Sequence, residues 1–210
     1  MKICKAWYIN LDICEDRKLH IEENVIPNLS LLTQDIERFS AIDMSSHKSK
    51  AKRSLGCTKS HLRIWEEAEK KNYKYIMVFE DDLCLNIQKE ELQKRIENLF
   101  KLFPDFNVCN LAYNNTGRPL NKAGEGVFYA KSLQTTCWYI MNVKFIPVIK
   151  ELVKQSIMKL EQGLDPNSWA IDQVWKKLQN KENKWFALPR CGKQKAGYSF
   201  IEGFKVDYGV

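Results

Sequence analysis

The sequence has few of the features that would place a protein in a membrane, in an oxidising compartment or around a zinc ion. No stretch approaches the roughly 18 consecutive apolar residues that a membrane-spanning helix requires, and the opening MKICKAW lacks the apolar core of a signal peptide. There are three histidines, and the seven cysteines include no CxxC pair. An odd number of cysteines, most of them within apolar runs, indicates free buried thiols in a reducing compartment. We therefore expect a cytoplasmic protein without disulfides or a zinc site.

The sequence also lacks a GxGxxG fingerprint, a P-loop, internal repeats and low-complexity linkers. Its 210 residues, of which 44% are hydrophobic and 28% charged, are typical of a globular chain that buries a substantial core. This length and composition predict a single domain over residues 1–210.

Part of the net charge of +7 lies in one basic run, His47-Lys48-Ser49-Lys50-Ala51-Lys52-Arg53. Such a run could attract nucleic acid, acidic lipid or a phosphorylated substrate, whereas most basic runs are solvated mobile loops. The other lysines are spread along helix-like segments without interleaved aromatic residues, so we do not expect nucleic acid as a partner. Peripheral contact with the inner face of an anionic membrane is a hypothesis that this run raises.

Hydrophobic periodicity predicts strands that alternate with helices in the first half of the chain. The predicted strands lie at 4–11, 36–42, 75–79, 106–113, 127–131, 135–141 and 184–188. Five helices are predicted. The first ends near Val25, ahead of Pro27, and the second runs from an N-cap at Thr58 to Asn72. The third and fourth cover 89–103 and 145–156, and the fifth follows an N-cap at Ser168. Residues 114–126 and the tail after 188 are predicted to be irregular. This pattern, with a continuous apolar run at 75–79, predicts an α/β fold: a Rossmann-like α/β/α sandwich with a mostly parallel sheet.

Three acidic residues, Glu80, Asp81 and Asp82, directly follow the predicted buried strand at 75–79. In extended chain Glu80 and Asp82 project to the same side and Asp81 to the other. Ligand sites in open α/β sheets lie beyond the carboxyl ends of the strands. A divalent cation such as Mn²⁺ or Mg²⁺ would relieve the repulsion between the two acids there and bridge the phosphates of a nucleotide diphosphate. The alternative is a solvated turn that caps the next segment.

Four segments carry a family resemblance through their order and spacing. They are Tyr8-Ile9-Asn10-Leu11-Asp12 with Arg17, Ala41-Ile42-Asp43, Leu55-Gly56-Cys57-Thr58-Lys59-Ser60-His61 with Trp65, and Val78-Phe79-Glu80-Asp81-Asp82. In this order they resemble glycosyltransferase family 25, which includes bacterial lipooligosaccharide galactosyltransferases and collagen galactosyltransferases. Weaker similarity continues at 135–139, 171–172 and 199–203, where Phe200 stands in place of the aspartate expected from the family pattern.

The resemblance implies a GT-A fold, a UDP-sugar donor with UDP-galactose first, a Mn²⁺ or Mg²⁺ ion, and inversion at the anomeric carbon. It implies metal ligands at Glu80 and Asp82, and a nucleotide-sugar-binding half at 1–112 with an acceptor half at 113–210. The residues that it places in the nucleotide-sugar site are Asn10, Leu11, Asp12, Arg17, Asp43, Ser60, His61 and Asp81. His61 has two interpretations, since it could face the donor phosphates from the start of a helix or be a satisfied core histidine.

An inverting transfer needs a base that takes the proton of the acceptor hydroxyl. We assign this role to Asp172, which is predicted to lie at the start of a helix near the core boundary, with Trp169 beside it to stack on a sugar ring. The alternative for Asp172 is an acid that only stabilises the helix start. Asp165 and Glu202 are possible substitutes.

Two other functions compete with a glycosyltransferase acting on a glycan, a lipid-linked glycan or a protein hydroxyl. A metal-dependent phosphoesterase or nuclease could use the same acids, although no further acids or histidines have the spacing to activate water. A catalytically silent protein of the same fold could bind a sugar or nucleotide, although all three acids at 80–82 are present.

Overall fold

The computed structural model describes residues 3–115 and 119–208, in which twelve strands and seven α-helices form. The strands are β1 (Lys5–Asn10), β2 (Ile36–Ser40), β3 (Tyr75–Glu80), β4 (Leu83–Leu85), β5 (Val108–Asn115), β6 (Lys122–Gly124), β7 (Val127–Tyr129), β8 (Leu133–Asn142), β9 (Trp185–Ala187), β10 (Gly192–Gln194), β11 (Gly197–Ser199) and β12 (Phe204–Val206). The helices are α1 (Glu15–His20), α2 (Ile26–Leu29), α3 (Lys50–Lys70), α4 (Lys89–Leu102), α5 (Ile146–Glu161), α6 (Pro166–Trp169) and α7 (Ile171–Val174).

Eight strands form the central sheet in the order β2-β1-β3-β8-β5-β9-β7-β6. Six of them run in one direction, and β8 and β7 run in the other. The predicted Rossmann-like, mostly parallel sheet is therefore confirmed. The reversed β8 lies between β3 and β5, so it brings strand residues from the second half of the chain beside the acidic triplet.

The sheet is covered by helices on both faces because its central strands are apolar on both sides. In β3, the side chains of Tyr75, Met77 and Phe79 join one buried core with the helical turn at 21–25, α2 and α4. Its alternate side chains, Ile76 and Val78, join a second core with α3, α5 and α7. Each such aliphatic or aromatic side chain contributes about 1.5–3 kcal/mol when it is fully buried. This packing fixes the end of β3, from which the acids project.

Helix α3 begins at Lys50, so the prediction that Thr58 caps it was wrong. The Thr58 hydroxyl instead donates to the backbone oxygen of Ser54, at 2.9 Å, inside the helix. Gly56 lies within α3, at a position where a Cβ would approach the backbone oxygen of Ile42 to 2.6 Å. Glycine, which usually disfavours a helix interior, is required here by close packing against the segment after β2. Four of the seven residues of the basic run, 50–53, form the first turn of α3.

Two further helix boundaries differ from the prediction. A π-helical turn at 21–25 leads directly into α2, so the chain stays helical past Val25. Pro27 does not stop the helix because it lies in the first turn of α2, where its missing N–H is not needed. Ser168 lies inside α6, and the N-cap is Asp165, whose side chain accepts a hydrogen bond from the backbone N–H of Asn167.

The predicted irregular regions contain short strands. β5 extends to Asn115 and β6 covers 122–124, while residues 116–118 of the predicted loop lie outside the described residues. In the tail, β10 pairs with β4 beside the acidic triplet, and β11 and β12 form a hairpin. None of the seven cysteines, all of which lie within the described residues, forms a disulfide. Within residues 3–115 and 119–208, no helix combines the length and the apolarity needed to cross a membrane.

Candidate active site

Two adjoining clefts open at the carboxyl end of β3. The first cleft is lined by the acidic triplet together with Leu11, Arg17, Ser60, His61 and the tail hairpin. The second cleft is lined by Asp172, Thr135, Thr136 and a group of amide side chains. Glu80 lines both clefts, so an acid of the triplet stands where they meet.

Asp81 is buried and held by two partners, one at the end of β1 and one in α1. The Asn10 amide donates to its carboxylate at 2.8 Å, and the Arg17 guanidinium pairs with it at 3.1 Å. Burial raises the pKa of Asp81, although both partners act to lower it. Arg17 also donates to the backbone oxygen of Tyr198 and lies 5.7 Å from the ring centre of Phe200. Arg17 therefore joins the triplet to the tail hairpin.

Glu80 is held by the protein core. His61 Nε2 lies 3.2 Å from its carboxylate, and the Thr136 hydroxyl donates to the same oxygen. Burial acts to raise the pKa of Glu80, but the bonds from His61 and Thr136 and the charge of Arg17 outweigh it, and the pKa is lowered. Glu80 is therefore an ionised acid in a fixed orientation.

His61 takes its orientation from a buried hydrogen-bond chain. The hydroxyl of Tyr139 lies 2.9 Å from His61 Nδ1 and accepts a hydrogen bond from Trp65 Nε1, also at 2.9 Å. Because the buried Tyr139 proton needs an acceptor, we assign Nδ1 as that acceptor and Nε2–H as the donor to Glu80. His61 lies in the middle of α3, not at its start, and it both belongs to the core and lines the first cleft.

Asp82 is held by the tail. Its carboxylate accepts from the Gln194 amide at 3.2 Å and lies 3.8 Å from the thiol of Cys137, while its backbone oxygen accepts from the N–H of Lys195 at 2.6 Å. Burial, followed by repulsion from Glu80 and Asp81, raises the pKa of Asp82 to about 7.

The donor set of the first cleft fits a hard divalent cation. Three carboxylates line the first cleft. Of these three, Arg17 forms an ion pair with that of Asp81 and not with those of Glu80 and Asp82. Oxygen donors with excess negative charge suit Mg²⁺ or Mn²⁺. Among the described residues, the three potential ligands whose atoms all lie within 4.8 Å of one another are Cys57, His61 and Glu80, and not the three acids. Burial raises the pKa of the Cys57 thiol well above its ordinary value, and a neutral thiol is a poor ligand.

The remaining predicted nucleotide-site residues divide into two groups. Leu11 and Ser60 line the first cleft, where the Ser60 hydroxyl also accepts from the N–H of Ile42 at 2.9 Å. Asp12 and Asp43 are exposed and line neither cleft. Asp12 pairs with Arg38, and Asp43 caps the turn that follows it.

Asp172, the predicted base, lines the second cleft at the start of α7. Its carboxylate accepts from the backbone N–H of Thr135 at 3.1 Å and from the Gln173 amide at 3.2 Å. Burial raises its pKa. Thr135 has a φ of 65°, an unusual conformation for a β-branched residue, which directs its N–H at Asp172. Backbone strain of this kind is often found at functional sites.

The structure separates Trp169 from the site. Its ring lies beneath Lys159 and Lys177, at 5.7 and 5.2 Å, and it lines neither cleft, so the predicted sugar platform is wrong. Of the substitutes for Asp172, Asp165 caps α6 and Glu202 lines the second cleft.

Sequence reasoning missed the contribution of the tail and of β8. The tail residues that line the first cleft are Gln194, Lys195, Gly197, Tyr198, Ser199, Phe200, Ile201, Val206 and Tyr208. Thr136 and Tyr139, in β8, position Glu80 and His61. The available signal was the weak family similarity at 135–139 and 199–203.

The two-sided α/β sandwich, with an acid cluster at the carboxyl end of a central strand, places the chain in the class of Rossmann-like α/β proteins, whose ligand sites lie beyond the strand ends. Within this class the chain belongs to glycosyltransferase family 25, described as an LPS biosynthesis protein family, whose sequence pattern matches residues 4–154. It is thus a glycosyltransferase. None of the curated proteins compared with the chain matches it.

Solved structures support the fold. A glycosyltransferase involved in glycosylation of the major capsid of PBCV-1 is 11% identical, with a TM-score of 0.52 and coverage of 96% of each chain. A UDP-glucose pyrophosphorylase complexed with UDP-glucose is 12% identical, with a TM-score of 0.50 and coverage of 96% of this chain and 97% of the other. The mannose-1-phosphate geranyltransferase of Thermus thermophilus is 7% identical, with a TM-score of 0.50 and coverage of 93% of this chain and 75% of the other.

Proposed function

We propose that this protein is an inverting, metal-dependent glycosyltransferase that moves a sugar from a UDP-sugar to a hydroxyl group of a glycan or similar acceptor. Galactose is the first candidate for the transferred sugar. One observation carries the proposal: two clefts meet at Glu80, with the acidic triplet in the first and a carboxylate, Asp172, in the second. A donor with a diphosphate and an acceptor with a hydroxyl each have a suitable cleft, and the sugar to be transferred would lie at the junction.

The first cleft suits the UDP-sugar. Mn²⁺ or Mg²⁺, held by Glu80 and Asp82, would neutralise the charge that develops on the departing diphosphate. His61 and Thr136 fix the Glu80 carboxylate, and Gln194 orients that of Asp82. The aromatic tail residues that line the cleft would exclude water from the bound donor.

Asp172 suits the role of base because it lies in the second cleft, which adjoins the proposed diphosphate site. As the acceptor oxygen forms a bond to the anomeric carbon, its proton passes to the Asp172 carboxylate. The bond between the anomeric carbon and the diphosphate oxygen breaks, and its electron pair leaves with UDP. Attack from the side opposite the leaving group inverts the configuration at the anomeric carbon.

The lining of the clefts supports a functional division between the two halves of the chain. We propose that residues 1–112 supply most of the donor site and that 113–210 supply most of the acceptor site, while the tail at 194–208 contributes to both. A glycan, a lipid-linked glycan and a protein hydroxyl all remain candidate acceptors under this proposal.

Contact with an anionic membrane is the weaker part of the proposal, because the basic run is largely occupied within the chain. Lys50 pairs with Glu202 at 2.8 Å, and Lys52 donates to the backbone oxygen of Glu161 at 2.9 Å. Arg53 donates to the backbone oxygens of His47, Lys48, Ile201 and Glu202. Vesicle binding that is unchanged when Lys48, Lys50, Lys52 and Arg53 become serine would remove this hypothesis.

The test of the proposed function is UDP release from a panel of UDP-sugars, with Mn²⁺ or with EDTA, for the wild type and Asp82→Ala. Asp105→Ala is the matched control, since Asp105 is exposed and lines neither cleft. We expect metal-dependent release from one sugar that Asp82→Ala abolishes and Asp105→Ala retains. Release that is insensitive to both EDTA and Asp82→Ala would contradict the metal assignment. Absence of both turnover and UDP binding would favour a catalytically silent protein, and release of inorganic phosphate would favour a phosphoesterase.

A further inference from the structure

Carboxamides are the most numerous class of polar side chain in the lining of the second cleft. Its amide side chains are those of Asn114, Gln134, Asn167, Gln173 and Gln194. A carboxamide offers both hydrogen-bond donors and an acceptor without a net charge. This is the chemistry that a sugar hydroxyl matches, because a hydroxyl also donates and accepts.

The same cleft contains a buried hydroxyl without a partner. Ser54 is 2% exposed, and its Oγ has no hydrogen-bond partner among the described residues. It lies on α3 and lines the second cleft. A buried polar group without a hydrogen bond is unfavourable, so a ligand that supplies a polar atom there would satisfy it.

The charge of the second cleft is opposite to that of the whole chain. Its charged side chains among the described residues are one cation, Lys50, and three acids, Glu80, Asp172 and Glu202, which give a formal charge of −2. Lys50 is already paired with Glu202, so no cation lining the cleft in the described residues is left to bind an anion. A net charge of +7 would suggest an acidic substrate, but the cleft itself would repel one.

We infer that the second cleft binds an uncharged sugar of the acceptor through its hydroxyl groups and rejects sugars that carry a carboxylate or phosphate. This inference rests on the proposed function and names the substrate class of the acceptor site. It excludes uronic acids, sialic acids and phosphorylated sugars as the acceptor residue.

The test compares sugars that differ in charge. Methyl glucoside, galactoside and mannoside are each paired with the corresponding methyl uronide, and binding is measured by saturation-transfer NMR with UDP and MnCl₂ present. We expect one neutral glycoside to bind at least about tenfold more tightly than its uronide, the factor that like-charge repulsion across a few ångströms at a partly solvated site produces. Hydrolysis of the UDP-sugar without acceptor is measured in parallel.

Two variants locate the binding site. Gln134→Lys adds a positive charge to the second cleft and should improve uronide binding roughly tenfold. Ser54→Ala should weaken binding of the neutral glycoside a few-fold, about the loss of one hydrogen bond, while the thermal midpoint is unchanged or raised. A loss of affinity with no loss of stability separates a binding role of Ser54 from a structural one.

The outcomes distinguish this inference from the proposed function. If the wild type hydrolyses a UDP-sugar but binds uronides as tightly as neutral glycosides, or binds no member of the panel, the inference is wrong and the proposed function stands. If Ser54→Ala and Gln134→Lys change no affinity, the sugar binds elsewhere and the inference is also wrong. If no UDP-sugar is bound or hydrolysed, the proposed function fails and this inference fails with it.

Discussion

Replacing the Asp82 carboxylate with the carboxamide of asparagine should make the metal-free protein more stable at neutral pH, although it removes a proposed metal ligand. Burial, and then repulsion from Glu80 and Asp81, raises the pKa of Asp82 from its ordinary value of 3.8 to about 7. The ionised form is therefore unfavourable in the folded protein. Asparagine has nearly the same shape, can still accept from Gln194, and carries no charge.

The pKa shift of Asp82 sets the size of the effect. A rise from 3.8 to about 7 corresponds to about 4 kcal/mol, since each pKa unit is worth about 1.4 kcal/mol. Water that reaches this half-buried carboxylate, and relaxation around it, reduce the cost. We therefore expect the free energy of unfolding of Asp82→Asn to exceed that of the wild type by about 2–4 kcal/mol above neutral pH.

The dependence on pH has a definite sign. Below pH 3.8, Asp82 is protonated in both the folded and the unfolded wild type, so wild type and Asp82→Asn should be equally stable. As the pH rises from 3.8 to about 7, Asp82 ionises in the unfolded chain but stays protonated in the folded chain. The wild type therefore loses stability relative to Asp82→Asn. Above this window the difference is constant.

Urea unfolding in EDTA, from about pH 4 to about pH 8, measures the difference in free energy. Asp12→Asn is a control of opposite sign. Hydrogen bonds from Arg38 and Ser40 lower the pKa of Asp12, so its carboxylate stabilises the fold above the ordinary pKa of aspartate and the variant should be less stable at neutral pH. Added Mn²⁺ should stabilise the wild type but not Asp82→Asn, and so reduce the difference between their free energies of unfolding. Equal stabilities of wild type and Asp82→Asn at every pH would refute the reasoning.

Three further predictions test other parts of the site. Asp172→Asn should lower kcat by roughly 10²–10⁴-fold and abolish the acidic limb of the pH–rate profile, which in the wild type should lie above the range of an ordinary aspartate because burial raises the pKa of Asp172. Tyr139→Phe should lower the free energy of unfolding by about 2–4 kcal/mol in urea titrations, since it leaves Trp65 Nε1 and His61 Nδ1 unpaired in the core. Gly56→Ala should cost about 1–3 kcal/mol by the same assay, because its Cβ would meet a backbone oxygen at 2.6 Å; stability equal to wild type would contradict that contact.

The sequence was sufficient to predict the central strands and the position of the acids. β3 is apolar on both faces, so its continuous apolar run could be assigned to a buried strand, and the acids that follow had to lie at its carboxyl end. β1, β2 and α4 were predicted for similar reasons, because their hydrophobic periodicity is local to the segment.

The start of α3 and the form of the tail could not be predicted because tertiary contacts determine them. Gly56 and Thr58 favour a helix boundary locally, but packing against Ile42 requires the glycine inside α3. The tail has short strands that pair with distant segments, as β10 does with β4. A three-residue strand has too little periodicity to be recognised, and its stability comes from its partners.

The two proposed metal ligands are held by different parts of the molecule, although they are two residues apart. Glu80 is fixed by buried groups of α3 and β8, through His61 and Thr136. Asp82 is oriented by Gln194 and by the backbone of Lys195, both in the tail. Because Arg17 joins Asp81 to the hairpin, any shift of the tail changes the surroundings of two acids and leaves Glu80 in place. Glu80 is therefore the rigid side of the site, and the affinity for the cation should depend on how the tail is held against it.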